Sequence, residues 1–123
     1  MISEYTKSLV EARKYYFSIG SIPCPILSGT PIYFNRRGFR HFLRKKKGLR
    51  PIDDQIRRFG LLKYIPEIIS SKQSTARYTK GNKFVFCEIS KEVDKNYFIK
   101  IVTIKASNGN LCFFSIIDFY KQK

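Results

Sequence analysis

The chain has 123 residues, with 43% hydrophobic and 15% aromatic side chains. That is enough for one domain with a modest core, and it excludes a disordered basic tail. Its 24 basic and 9 acidic residues leave a net charge of +15, which directs attention to polyanionic partners, nucleic acid above all. No apolar run approaches the roughly 20 residues that cross a bilayer, and Glu4 and Glu11 interrupt any leader-like segment, so no membrane association is expected.

In chain order, Tyr5, Leu9, Ala12 and Tyr16 recur at helical spacing and predict an amphipathic helix over Ser3–Ser18. The segment GSIPCPILSGTP, with three prolines and two glycines, is expected to be irregular, and PIYF to be a short strand. From Arg36 to Lys47 the apolar positions Phe39, Phe42 and Leu43 give an i, i+3, i+4 face, so a helix is expected there, ended by Gly48. Asp53 is placed to cap a third helix that buries Ile56 and Phe59, and Pro66 suits the first turn of a fourth, PEIIS.

After Ser74 the pattern becomes β-rich. ARYT, KFVFCEI, YFIKIVTIKA and LCFFSIIDFY read as strands, and Asn108–Gly109 between the last two predicts a type I′ hairpin. Short connections make consecutive strands antiparallel neighbours. The expected fold is therefore α+β: a single domain over 1–123, mainly helical over 1–74. Its helices pack on one face of a four-stranded antiparallel meander over 75–120.

The densest charge lies in RRGFRHFLRKKKGLR, Arg36 to Arg50, with eight basic residues and the only histidine, His41. At 100° per residue His41 falls about 200° from Phe39, opposite the apolar face and beside Arg37, Arg44 and Lys45. Two readings follow: a residue on a solvated basic ridge, or a general acid or base among phosphate-binding cations. Those neighbours disfavour the imidazolium and lower its pKa from about 6.5.

Lys100 stands inside the third strand, where an ammonium must reach water, a carboxylate such as Asp118, or an anionic ligand. Ser115 is a lone hydroxyl in an apolar strand, where backbone bonding is the ordinary role. Cys24, Cys87 and Cys112 form no paired motif; they read as small core side chains in a reducing cytoplasm. The carboxylates are scattered, so neither a metal centre nor any cofactor is expected. Histidine, cations and hydroxyls suit RNA cleavage, in which a base takes the 2′-OH proton and cations stabilise the phosphorane.

The order IYFNRRGFRHFLRK, LRPIDDQIRRFGLLKYIPEII and a final strand containing FFSII resembles the phage-associated branch of the barnase, EndoU, colicin and RelE superfamily of small RNases, the BECR fold. The resemblance covers roughly Pro31 to Tyr120. It implies an α+β two-layer fold and metal-independent, toxin-type endoribonuclease activity. By position it makes His41 the helix histidine, Lys100 the basic strand residue and Ser115 the last-strand hydroxyl. Arg37, Arg40, Arg44, Lys45 and Arg50 would then line the RNA path. The rival readings are a non-catalytic nucleic-acid-binding module and a protein that docks an acidic partner such as an inhibitor or immunity protein.

Overall fold

The computed structural model describes residues 3–45 and 48–121, with Lys45 by its backbone alone. Helix α1 runs Glu4–Ile19, and the Ser3 hydroxyl caps it by accepting from the Thr6 amide at 3.1 Å. It buries Ala12 and Tyr16, with Leu9 and Ile19 packed alongside, as the spacing predicts.

The proline-rich segment is not irregular. Strands β1 (Ser21–Cys24) and β2 (Thr30–Tyr33) form an antiparallel hairpin around a 3-10 turn at Pro25–Leu27. Phe34 N donates to Gly20 O at 2.9 Å, which sets the alternation of hydrogen-bonded pairs along the ladder. Pro23 and Pro31 therefore face each other at a non-hydrogen-bonded position, where neither needs an N–H.

Helix α2 covers only Arg36–Phe42 rather than reaching Lys47. The next core-facing positions would be basic, so no apolar face carries the helix onward. Arg50 closes its end, Nε donating to the Phe42 carbonyl at 3.1 Å. Beyond it Arg44–Lys45 (β3) pairs with Gly48–Leu49 (β4), and Gly48, at φ 129°, serves this hairpin rather than stopping a helix. Lys46, Lys47 and the side chain of Lys45 lie outside the described residues.

Helix α3 (Ile52–Phe59) starts on Pro51, without the expected Asp53 cap. Its buried residue is Gln55, held by Tyr5 Oη at 2.7 Å and donating to Arg50 O at 2.7 Å; Ile56 remains 38% exposed. Helix α4 (Ile65–Ser70) has Pro66 in its first turn as expected and buries Ile65, Ile68 and Ile69.

The fold is α+β, but the sheet is not a four-stranded meander. Six strands run in the order β1-β2-β8-β7-β6-β5, with β5 at Thr75–Lys80, β6 at Val85–Asp94, β7 at Tyr97–Lys105 and β8 at Leu111–Tyr120. The last four are antiparallel neighbours; β2 then joins β8 in parallel through Ile32 and Tyr33. The β7–β8 turn also differs from expectation. Gly109 alone has positive φ, and its N–H bonds Ala106 O at 2.9 Å, which makes a three-residue loop rather than type I′.

Period-two alternation divides the sheet cleanly. Cys87, Ile89, Ile99, Ile101, Thr103, Phe113 and Ile116 are buried toward the helices. Phe86, Glu88, Ser90, Phe98, Lys100, Val102, Ile104, Ile117 and Phe119 share the opposite, more open face. A bulge at Phe114 in β8 lets Phe113 and Ile116 both reach the core. All three cysteines are buried and free.

Candidate functional site

Helix α2 is positioned by its own first turn. Asn35 Oδ1 accepts from Gly38 N at 2.8 Å, while Tyr16 Oη donates to Asn35 O at 2.7 Å. A Cβ on Gly38 would stand 2.3 Å from the Phe113 carbonyl oxygen, so only glycine lets α2 lie this close to β8.

That approach lays His41 over the bulge of β8. Its ring centroid is 4.9 Å from that of Phe114, tilted by 32°. His41 is half-buried rather than standing on a solvated ridge, because the short helix lies beside β8 where β2 no longer covers it. Burial lowers its pKa below 6.5, and the Arg37 and Arg40 guanidiniums push it the same way. The direction matches the sequence expectation, with burial leading and Arg40 joining Arg37.

The imidazole lines a cleft of about 230 Å³ together with Asn35, Arg37, Phe84, Lys105 and Cys112. Burial pushes the Cys112 thiol up, against the smaller opposing effects of Asn35 and Arg37. The cleft can hold an anion between Arg37 and Lys105 beside a neutral imidazole.

Lys100 is on the same open face but outside this cleft. It stands four residues along β7 from Ile104, which lines the cleft, or about 13 Å at strand rise. Its ammonium is 3.5 Å from Glu88 Oε1, and Arg77 reaches the same oxygen at 3.6 Å. The expected partner Asp118 lies on the other face, opposite Ile99, engaged by Arg57 and by Tyr97 Oη at 2.7 Å. Ser115 is buried at the free edge of β8, where Arg58 Nη1 approaches its Oγ at 3.5 Å and donates to Ile116 O at 2.8 Å.

Of the basic residues, Arg37 lines the cleft, and Arg40 and Arg44 are exposed near it on and just after α2. Arg50 is not free to line a path: it caps α2 and pairs with Asp54 at 3.5 Å. The structure thus gathers His41, Arg37 and Lys105, and leaves Lys100 and Ser115 elsewhere. Sequence reasoning missed Lys105 and Phe84 at the cleft, Phe114 against the His41 ring and Glu88 beside Lys100. Glu88 carried a signal, a carboxylate on the alternating outer face of a strand adjacent to that of Lys100.

No family model, curated protein sequence or solved structure matches the chain. Among the described residues no helix is long and apolar enough to cross a membrane.

Proposed function

We propose that the protein is a metal-independent endoribonuclease of the BECR type, with His41 as its proton-transfer group. One observation carries this reading: the only imidazole, half-buried with a lowered pKa, opens onto a cleft shared with Arg37 and Lys105. Neutral His41 accepts the proton of the ribose 2′-OH, and that oxygen attacks the adjacent phosphorus. Arg37 and Lys105 stabilise the negative charge on the phosphorane, and the imidazolium returns the proton to the departing 5′ oxygen. The product is a 2′,3′-cyclic phosphate. Among the described residues no three His, Cys, Asp or Glu side chains gather as a metal site, so the reading gives proton transfer to the imidazole.

In this reading Lys100 holds a neighbouring phosphate rather than the reacting one, and Ser115 only supports the strand edge. The surplus of positive charge is also the surface on which an acidic inhibitor would dock. A binding module without catalysis is the second reading. It is favoured by the engagement of Lys100 with Glu88 and of Ser115 with Arg58.

End-labelled RNA incubated in excess EDTA decides between them. Cleavage to cyclic phosphate ends, reduced about a hundredfold or more by His41→Ala, is the expected result. Intact RNA with salt-sensitive binding, or cleavage that survives His41→Ala, removes the nuclease reading.

A further inference from the structure

The open face carries a second aromatic feature far from His41. Phe98 and Phe119 are cross-strand partners on β7 and β8, their rings stacked at 5.3 Å with planes 11° apart. Lys100 Nζ lies 5.8 Å from the Phe119 ring centroid, and Lys121 Nζ lies 5.7 Å from that of Phe98. Phe119 is 36% exposed. The two carboxylates nearest on this face are engaged: Glu88 by Arg77 and Lys100, and Glu92 by the Asn96 amide at 2.8 Å.

A stacked pair at a sheet end adds about 0.5–1.5 kcal/mol to strand pairing, and packing alone would explain the rings. It does not explain two ammoniums set over those rings, one of which shares Glu88 with Arg77 so that this trio keeps a net positive charge. At the opposite end of the face, His41, Phe114 and Phe86 form a second aromatic row, with Phe86 and Phe114 centroids 5.5 Å apart. Between the two rows stands Lys100. Rings at both ends with a cation between them suit a basic groove that offers stacking platforms along its length.

We infer that Phe98, Phe119, Lys100 and Lys121 form a nucleotide-stacking subsite for single-stranded RNA. A strand threaded through the His41 cleft runs along β7 and β8 to reach it. The two lie six residues apart on β7, about 20 Å, so the subsite engages only oligonucleotides of several residues. Duplex RNA presents no unstacked base and is not held there. This inference rests on the reading that RNA occupies the open face.

The test uses a fluorescein-labelled, mixed-sequence 2′-O-methyl 12-mer, which binds but offers no 2′-OH for cleavage. Anisotropy compares the wild-type chain with a Phe98→Leu/Phe119→Leu variant, which keeps apolar bulk and loses the rings; circular dichroism checks its fold. Expected is at least a fivefold loss of affinity for the single strand, none for the duplex of the same sequence, and a smaller loss for Lys121→Ala. Unchanged single-strand affinity, or an equal loss for the duplex, overturns the subsite. Its fate is separable from that of the nuclease. Cleavage dependent on His41 with ring-independent binding leaves the nuclease and removes the subsite; ring-dependent binding with intact RNA does the reverse.

Discussion

Gly38 holds the cleft together through its lack of a side chain. Any side chain there meets the Phe113 carbonyl and the Tyr16 hydroxyl, and a strand backbone cannot retreat cheaply. Gly38→Ala is expected to cost about 3 kcal/mol in urea unfolding and to lift His41 off Phe114. His41 itself has a pH signature. Its folded pKa lies below 6.5, so the neutral base predominates at pH 7 and is lost on acidification through that lowered value. The acidic limb of cleavage should therefore fall below pH 6.5. Arg37→Gln removes one cation that disfavours the imidazolium, and the limb should move to higher pH even as the rate drops; a limb that stays in place excludes Arg37 as a determinant. His41 was legible as a lone titrating group among cations. Its burial was not, because that depends on the bulge at Phe114, where the strand departs from its two-residue period.

At the scale of elements, one carboxylate of α3 gathers two arginines of its own helix and Arg50 just before it. Asp54 receives Arg58 at 3.2 Å, Arg57 at 3.3 Å and Arg50 at 3.5 Å, and these cations, against the effect of its own burial, hold its pKa below the ordinary carboxylate value. Asp54→Ala leaves two largely buried guanidiniums facing one another. A loss of about 2 kcal/mol in denaturant unfolding is expected, below the ~3–5 kcal/mol of a fully buried pair because Asp54 is about a fifth exposed. The pH sign is that of a depressed acid. The stabilisation is present above the unfolded value near 3.9 and disappears as pH falls through the lower folded value, so wild type and variant should converge in strong acid. The positions of α1, α4 and the four long strands were readable from periodicity and from Pro66. The end of α2 was not, since Arg44 and Lys45 are good helix formers locally; the absence of an apolar face to pack decided against them. Nor was β1, because three prolines read as a break until Pro23 and Pro31 are seen to share a position that requires no donor, whereas β2 was legible in PIYF.

For the molecule as a whole, +15 on 123 residues makes ionic strength the dominant variable. For single-stranded RNA, log K should fall against log salt by about 0.7 per phosphate neutralised. Replacing exposed Arg40 or Arg44 by Gln should reduce that slope by about one contact each, whereas Arg50→Gln should leave the slope alone and lower stability instead. A slope unaffected by the first two would place the RNA path elsewhere. The α+β class followed from the order of helical and alternating segments. The mixed six-stranded sheet did not, because a parallel pairing between residues 32–33 and 111–112 leaves no local trace in the sequence.

That parallel pairing also sets a timetable. Ribosomes release the chain from its amino end, so the β1–β2 hairpin emerges long before β8, the strand that joins it to the rest of the sheet. Until β8 arrives, Phe113, Phe114 and Cys112 are missing from around His41, and the imidazole has neither its aromatic bed nor its cleft. On the nuclease reading, the site around His41 is therefore assembled only once β8 has docked.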